Sequence, residues 1–307
     1  MDIKSKIVLI SGPTASGKSK FALKLAKKIN GEIVNADSMQ VYKQLKILTA
    51  RPTIKDTKEI RHHLYGFINV TKNFSTGEWL KLSKKKIEEI RKRKKIPIIV
   101  GGTGLYFKAL TEGFVQIPNV PMRIRSKIRK LQNKLGQDKF YSKLQKIDPL
   151  VKNKIEKNDS QRSIRAYEIK YYTKKSLFKW FQNTKKSFPD TEFIKIYIYH
   201  PREDLIKKAN LRVSKMFKNG AIAEVRKFNR LKLKKQNSAK KVIGIEEITN
   251  YLNNKYDLRA AKDLISIKTR QYIKRQFTWA RGQMANWTYI DPKITSSSLK
   301  KFLDSHS

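Results

Sequence analysis

The chain of 307 residues contains no cysteine, and this absence excludes disulfides, thiolate catalysis and cysteine-ligated zinc. It has no apolar run of the length that a membrane-spanning helix needs, about 20 residues, and its first residues show no signal peptide. We therefore expect a cytoplasmic protein with no membrane anchor. The hydrophobic fraction of 39% suffices for a core, so the chain should form one elaborated α/β domain or two domains.

Acidic residues are scarce, because 25 aspartates and glutamates face 70 lysines and arginines, for a net charge of +45. A polyanionic partner such as nucleic acid is one explanation. A coding bias toward A and T is another, since 53 of the basic residues are lysines and isoleucine and asparagine are abundant. The distribution is more informative: residues 119–188 hold 20 basic and 5 acidic side chains, which favours a nucleic-acid-binding role for this segment.

The first motif with chemical content follows the G-x-x-x-x-G-K-[ST] pattern of phosphate-binding loops. An apolar strand at residues 6–10 precedes it, and residues 18–29 follow with apolar side chains at helical spacing. The backbone N–H groups of such a loop surround an anion, the lysine adds a positive charge, and the next hydroxyl can bind Mg²⁺. The alternative is a glycine-containing turn that binds nothing. We predict a diphosphate or triphosphate site, with Ser19 as magnesium ligand, formed by Gly12, Pro13, Thr14, Ala15, Ser16, Gly17, Lys18 and Ser19.

Asp37 ends the second predicted strand, which begins at Gly31. The carboxyl ends of parallel strands form the ligand edge of a sheet, so Asp37 should face the phosphate loop. There it could act as a general base or hold Mg²⁺ through water. The alternative is that Asp37 caps a following helix. His62 and His63 are adjacent and point in different directions, so they are interpreted as structural or substrate-adjacent and not as a metal site.

A second glycine turn, Gly101-Gly102-Thr103-Gly104, follows a buried strand at residues 96–100. Backbone amides and the Thr103 hydroxyl could approach a ligand closely there. Arg226 lies in a helix that begins at Ala221, and its guanidinium could reach back to an anionic site. The alternative for Arg226 is an ordinary surface arginine.

These elements predict the α/β class, with a P-loop NTPase-like parallel sheet as the core. The core should comprise residues 1–118 and 189–307, because a strand pattern resumes near Phe193 after the basic segment. Residues 119–188 should form a mainly helical insertion. Helices are predicted at 122–135, 139–147, 160–172, 201–219 and 257–282, with a last strand at 287–290 and a polar tail.

Seven stretches of the sequence resemble the tRNA dimethylallyltransferase family, also called tRNA isopentenyltransferase, in its compact bacterial type. The resemblance covers nearly the whole chain. In order, the stretches are Gly12–Ser19, Asp37–Lys43, Thr49–Pro52, Gly101–Tyr106, Asn158–Arg162, Gly220–Arg226 and Thr269–Gly282.

The resemblance implies transfer of a dimethylallyl group from dimethylallyl diphosphate to N6 of the adenosine 3′-adjacent to the anticodon, in tRNAs that read codons beginning with U. It implies Mg²⁺ as cofactor, Asp37 as general base, Thr103 as a positioning group and Arg226 as a counter-charge for the diphosphate. The anticodon stem-loop would contact the basic insertion. We expect a monomer without an obligate protein partner. The implied tRNA contacts are Asp37, Ser38, Met39, Gln40, Thr103, Arg125, Gln161, Arg162, Ser163, Ile164 and Arg165, with the segment Lys240–Glu247.

Two stretches depart from the family pattern. The segment Val242–Glu247 lacks the usual aromatic residue and carries Glu246 where a basic residue is common, which weakens the implied tRNA contact there. His62 and His63 are preceded by Arg61 instead of proline, and followed by Tyr65-Gly66 instead of a carboxylate.

Three other functions fit parts of the sequence. A phosphate-loop kinase would use Asp37 to activate a hydroxyl, but the insertion is larger and more basic than a kinase lid needs. A prenyltransferase acting on free adenine nucleotides would have little use for the insertion. A catalytically silent RNA-binding protein would have no need for Lys18, Asp37 and Thr103.

Overall fold

A six-stranded parallel sheet organises the part of the chain that the computed structural model describes, namely residues 5–234, 237–291 and 302. The strand order is β3-β2-β4-β1-β5-β6, and every neighbouring pair is parallel. The α/β class with a parallel sheet is therefore confirmed. The strands are β1 (Ile7–Ser11), β2 (Gly31–Asn35), β3 (His62–His63), β4 (Ile96–Gly101), β5 (Phe193–Ile198) and β6 (Thr288–Ile290).

The chain folds as two compact units, Met1–Thr111 with Phe188–Ser307, and Glu112–Ser187. The sheet belongs to the first unit. Helices of the first unit connect and flank the strands, and those of the second follow one another without strands. They are α1 (Lys18–Lys28), α2 (Ile54–Glu59), α3 (Thr76–Lys92), α4 (Gly104–Glu112), α5 (Met122–Ile147), α6 (Ser160–Thr173), α7 (Leu177–Phe181), α8 (Arg202–Lys218), α9 (Ala221–Asn229), α10 (Ile245–Leu252) and α11 (Leu258–Gln283).

The centre of the sheet is buried on both faces, which explains why β1 and β4 are continuous apolar runs. Side chains alternate between the faces with a period of two. On one face, Val8 and Ile10 pack with Phe21 of α1. On the other, Leu9 packs in a cluster that includes Trp79 of α3. These helices hold the strand ends in place.

Strand register brings the predicted motifs to one edge. Ser11 of β1 pairs with Gly101 of β4, so the phosphate loop and the second glycine turn leave the sheet side by side. Asn35 of β2 pairs with Val100, which brings Asp37 to the same edge from the other side of β4. The edge is the carboxyl end of the strands, where ligands bind in open α/β sheets.

The unit Glu112–Ser187 is helical and has its own core, which includes Phe140, Leu144 and Tyr167. Gly136 interrupts α5 with φ 71° and ψ 169°, in a left-handed region that favours glycine. The predicted break between the first two helices of the insertion is thus confirmed, and α6 follows as predicted.

The sequence did not predict the short strand β3. Two residues are too few to show the alternation of polar and apolar side chains by which a strand is recognised. Residues 292–301 and 303–307 of the predicted polar tail lie outside the described residues. Among the described helices, none combines the length and the apolar character needed to cross a membrane.

Candidate active site

The phosphate loop joins β1 to α1 in a conformation that glycine makes possible. Gly17 has φ 86° and precedes Lys18, the first residue of α1. Gly12 sits so close to β5 that an added Cβ would lie 2.9 Å from the carbonyl oxygen of Ile198. Lys18 Nζ donates to the Pro13 carbonyl at 3.1 Å, and Ser19 is exposed in the first turn of the helix. The predicted loop residues are therefore contiguous at a helix N-terminus, the arrangement that binds anions.

Asp37 is held in a tight turn after β2, and no helix follows it. Its backbone N–H donates to Asn35 Oδ1 at 2.9 Å, and its own Oδ1 accepts the N–H of Met39 at 2.9 Å. Asn35 is fully buried and also donates to the carbonyl oxygens of Asp37 and Leu64. The helix-cap alternative for Asp37 is wrong, and its carboxylate stands at the ligand edge of the sheet.

Thr103 connects the second glycine turn to the segment after Asp37. Its hydroxyl oxygen accepts the Ser38 N–H at 2.9 Å, and its own N–H donates to the Ala36 carbonyl at 3.1 Å. Gly101 is required for this approach, since a Cβ there would lie 2.0 Å from the carbonyl oxygen of Ala36. The two segments are thus fixed against each other, with Asp37 between their anchor points.

Two cations share the electrostatic environment of Asp37. Burial lowers the pKa of Lys18 to about 8, an effect that Asp37 opposes and that the positive charge of Arg212 reinforces. Burial likewise lowers the pKa of Arg212 on α8, again opposed by Asp37. The charges of Lys18, Asp37 and Arg212 therefore act on one another, and each of the three side chains is half-buried.

Three tyrosines complete the surroundings of Asp37. Burial raises the pKa of Tyr65, Tyr106 and Tyr272, and the negative charge of Asp37 raises each further. Tyr106 is fixed by stacking on Trp79, with ring centroids 4.3 Å apart. The carboxylate therefore interacts with three tyrosines as well as with the two cations.

Arg226 lies on α9 and is exposed. Its implied role as a counter-charge for the diphosphate stays a prediction. The fold brings a further arginine, Arg212, near Asp37 and Lys18. The sequence signal for Arg212 is weak, because it is one of many basic residues in a long helix.

Glu224, in the same sequence stretch as Arg226, has a clear structural role. Its carboxylate accepts the backbone N–H groups of Lys46, Ile47 and Leu48 at 2.7, 2.8 and 2.9 Å. This anchors the segment that follows Gln40. Gln40 in turn donates to the carbonyl oxygens of Thr49 and Ala50 at 2.9 and 3.2 Å.

Of the predicted tRNA contacts in the unit Glu112–Ser187, two arginines are engaged by a buried carboxylate. Glu168 is 1% exposed and lies 3.5 Å from Arg125 Nε and 3.5 Å from Arg165 NH1. Arg129 approaches its other oxygen at 3.9 Å. The position of these guanidinium groups is therefore set within the unit, while each remains partly exposed.

The beginning of α6 contains the other predicted contacts. Gln161 and Arg162 are exposed, and Arg162 also pairs with Asp159 at 3.3 Å. Ser163 is fully buried and accepts from Gln137 at 3.3 Å, so its hydroxyl is not available to RNA. Ile164 packs against the core of the unit. Of these four residues, Gln161 and Arg162 have exposed polar side chains.

A basic cavity of about 530 Å³ lies near the C-terminal end of α6. Its lining combines the buried Asp148 with an excess of lysines, and two of these ammonium groups lie over aromatic rings. Lys174 Nζ is 5.4 Å from the centre of the Tyr171 ring, and Lys175 Nζ is 4.8 Å from that of Trp180. The lining residues are Asp148, Pro149, Leu150, Lys170, Lys174, Lys175, Ser176 and Lys179.

The last two residues of the segment Lys240–Glu247 form contacts within the protein. Glu246 pairs with Lys268 of α11 at 2.7 Å, and Lys268 also pairs with the buried Glu247. Glu247 accepts the N–H of Gly244 at 2.8 Å. The acidic residues that depart from the family pattern thus attach α10 to α11.

No group of three or more histidine, cysteine, aspartate or glutamate side chains that could hold a metal occurs in the described ranges. His63 Nε2 contacts Glu32 at 2.6 Å, and His62 Nδ1 contacts the Ile60 carbonyl at 2.7 Å. The structural interpretation of these histidines fits their positions. The exposed Ser19 hydroxyl beside the phosphate loop suits Mg²⁺, which commonly takes one protein ligand together with phosphate oxygens and water.

The parallel sheet and the loop between β1 and α1 define an α/β protein with a P-loop-like core. The sequence model of the family described as IPP transferase matches residues 40–283. The chain belongs to this family, and the resemblance inferred from its motifs is confirmed.

Known proteins similar to the chain agree with this assignment. A tRNA dimethylallyltransferase of Pelagibacter ubique is 59% identical over 308 residues, which cover 98% of this chain and 98% of the relative. The full-length tRNA isopentenylpyrophosphate transferase of Bacillus halodurans is 31% identical, with a TM-score of 0.70 and coverage of 98% and 96%. A eukaryotic dimethylallyltransferase acting on tRNA is 29% identical, with a TM-score of 0.80 and coverage of 93% and 73%.

Proposed function

We propose that this enzyme transfers a dimethylallyl group from dimethylallyl diphosphate to N6 of the adenosine 3′-adjacent to the anticodon, in tRNAs that read codons beginning with U. Family membership and the names of the relatives support transfer to tRNA. The observation that carries the finer proposal is the convergence of Lys18, Asp37 and Arg212 at the phosphate loop. This combination places a carboxylate that can accept a proton beside cations that can bind a diphosphate.

In the proposed reaction, N6 of adenine attacks C1 of the dimethylallyl group, and a C–N bond forms as the C–O bond to the diphosphate breaks. Asp37 accepts a proton from N6, so the product amine leaves uncharged. Negative charge grows on the leaving diphosphate. We assign the stabilisation of that charge to the N–H groups of the loop, to Lys18 and Arg212 and, as the family resemblance implies, to Arg226.

The desolvated setting strengthens each of these interactions, because charges act at longer range where water is excluded. The half-buried rings of Tyr65 and Tyr272 offer apolar faces near Asp37, and we assign them to the isoprenoid chain and the adenine.

Magnesium is proposed as cofactor, with Ser19 as its protein ligand. When bound, Mg²⁺ supplies further charge neutralisation to the diphosphate. Lys18 and the loop N–H groups orient the same phosphates from the protein side.

Recognition of tRNA is proposed to involve the exposed Gln161 and Arg162 and the basic cavity lined by Lys170, Lys174, Lys175 and Lys179. Ammonium groups of this kind bind the phosphate backbone without reading sequence. The target adenine must leave its stack to reach a site at a sheet edge. Ser38, Met39 and Gln40, half-buried beside Asp37, are proposed to contact the loop nucleotides.

The decisive experiment incubates the protein and Mg²⁺ with an unmodified tRNA that reads codons beginning with U. Dimethylallyl diphosphate or ATP is added, and the anticodon-loop nucleosides are analysed by mass. We expect a dimethylallyl adduct on the adenosine beside the anticodon, formed without ATP. Consumption of ATP with no adduct would instead support a kinase.

A variant separates chemistry from binding. Asp37→Asn keeps the side chain's size and the acceptor oxygen for the Met39 N–H, but it removes the base. Transfer should be lost while tRNA affinity stays nearly intact. A large loss of affinity would assign Asp37 to binding instead of proton transfer.

A further inference from the structure

Gln276 of α11 bridges the two glycine-containing turns of the site. Its Oε1 accepts the backbone N–H of Thr14 in the phosphate loop at 2.8 Å. Its Nε2 donates to the carbonyl oxygen of Gly102 in the second turn at 3.1 Å. One side chain therefore spans the gap between the loop that follows β1 and the turn that follows β4.

The chemistry of the two partners fixes the orientation of the amide. The N–H of Thr14 can only donate and the carbonyl of Gly102 can only accept, so the side-chain oxygen must face Thr14 and the nitrogen must face Gly102. The Gln276 amide packs closely against Gly102, where an added Cβ would lie 2.4 Å from Gln276 Nε2. A glutamate would lack the donor, and a methionine would lack both groups.

The two hydrogen bonds of Gln276 connect segments that bind different substrates in the proposed reaction. Thr14 belongs to the loop assigned to the donor diphosphate. Gly102 is followed by Thr103, whose hydroxyl accepts the Ser38 N–H next to Asp37, on the side assigned to the adenine. A shift of the phosphate loop on binding diphosphate would therefore act on Thr103 through Gln276.

We propose that Gln276 is a positioning residue that couples binding of the donor diphosphate to binding of the acceptor adenosine. The inference rests on the proposed function. Coupling of this kind is reciprocal: if diphosphate raises RNA affinity by a given factor, RNA raises diphosphate affinity by the same factor. Couplings of about 5- to 150-fold are typical.

The test measures the dissociation constant of inorganic pyrophosphate with Mg²⁺, in the absence and presence of a saturating unmodified anticodon stem-loop RNA. In the unmutated protein, RNA should tighten pyrophosphate binding at least about 5-fold. In Gln276→Met the ratio should fall to about 1, because a side chain of similar length now bonds neither partner. Gln276→Glu, which keeps the Thr14 contact alone, should also lose the coupling.

The matched control is Gln283→Met, the same substitution two turns along α11. Gln283 is exposed, and its Oε1 accepts from Lys108 at 2.7 Å. This variant should keep the full coupling. Thermal unfolding of all variants establishes that they are folded when assayed.

Two results would overturn the proposal: coupling retained in Gln276→Met, or no coupling in the unmutated protein. Neither depends on catalysis, because pyrophosphate and RNA bind without reacting. Failure of the proposed function would appear separately, as absence of the dimethylallyl adduct. In steady-state kinetics, the proposal further requires that Gln276→Met raise KM for the donor and lower kcat together. A merely structural role would lower only the amount of active enzyme.

Discussion

The hydroxyl oxygen of Thr103 accepts the backbone N–H of Ser38 at 2.9 Å, and this bond connects the turn after β4 to the residue that follows Asp37. Thr103 and Ser38 are 65 residues apart in the chain. Their contact makes the position of the carboxylate depend on the second glycine turn. The dependence can be measured.

Thr103→Val should lower kcat about 10- to 100-fold. Valine fills the same space but leaves the Ser38 N–H without its acceptor, and an unmade hydrogen bond of a buried group costs about 1–3 kcal/mol. Thr103→Ser restores the hydroxyl and should recover most of the rate. Steady-state transfer to tRNA provides the measurement, and equal rates for the valine and serine variants would contradict this role.

Arg212 and Arg226 are the two arginines proposed to offset the charge of the diphosphate, and substitution tests each of them. Arg212→Ala removes a charge that the site desolvates, so kcat/KM should fall about 100- to 1,000-fold, as when other stabilising groups for developing charge are removed. Arg226→Ala tests the counter-charge role that the family resemblance implies for this exposed residue, and a loss of similar size is expected. A change in rate of less than about twofold, as at an ordinary surface position, would contradict that role.

Diphosphate affinity should depend on pH through Lys18. Burial holds the pKa of Lys18 at about 8, so the ammonium loses its proton as the pH rises through that value, and pyrophosphate binding should weaken above it. Lys18→Arg keeps its charge across this range, because guanidinium groups do not deprotonate in proteins. Calorimetric titration of both proteins from pH 6.5 to 9.5, a range of about 3 units around this pKa, isolates the Lys18 contribution. Parallel pH profiles would contradict it.

Acid stability should depend on Glu32, a buried carboxylate of β2. Burial alone would raise the pKa of Glu32, but hydrogen bonds from Arg93 and His63 outweigh it and hold the pKa at about 2. A lowered carboxylate pKa stabilises the fold above the unfolded value, and the stabilisation is lost as pH falls from about 4.5 toward 2.

Glu32→Gln should therefore lower the free energy of unfolding at pH 7 by about 3 kcal/mol and flatten its decline in acid. Denaturant titrations at several pH values provide the measurement. Glu59→Gln is the control, since this glutamate pairs with Lys27 near the surface and should change stability by less than about 1 kcal/mol. If the free energy of unfolding of Glu32→Gln fell in acid as steeply as that of the unmutated protein, groups other than Glu32 would control the decline.

The basic cavity should contribute to RNA affinity without affecting the chemistry. Lys174→Glu with Lys179→Glu should weaken tRNA binding and make the slope of log K against log salt smaller by about 1.4 to 1.8, as expected for two lost phosphate contacts. Lys134→Glu with Lys143→Glu changes the net charge equally, on exposed positions of α5 outside the cavity lining. If both pairs weaken binding equally, net charge accounts for the effect and the cavity does not.

Much of this site could be predicted from the sequence because its motifs are local. The phosphate loop lies between a strand and a helix that are both recognisable by periodicity, and the glycine turn before Thr103 follows a fully apolar strand. Parallel-sheet geometry then predicts that Asp37 and these turns share an edge. The register of Ser11 with Gly101 agrees with that expectation.

Residues contributed by long helices were beyond sequence reasoning. Arg212 and Gln276 lie within helices that carry many polar side chains, and only the packing of α8 and α11 determines which of these faces the site. Arg226, in contrast, belongs to a recognisable motif, so the sequence could assign it a role, and that role stays a prediction. Likewise, Ser163 belongs to the predicted RNA-contacting stretch but falls on the buried side of α6.

The strand order has a consequence for synthesis on the ribosome. β1 needs two neighbours, and β5 emerges roughly 90 residues after β4 because the helical insertion is encoded between them. At about 5–20 residues per second, one edge of the apolar strand β1 stays unpaired for about 5 to 20 s, until β5 has been synthesised. The nascent chain therefore passes through a stage in which a hydrophobic sheet edge is open, the stage at which chaperone capture or aggregation competes with folding.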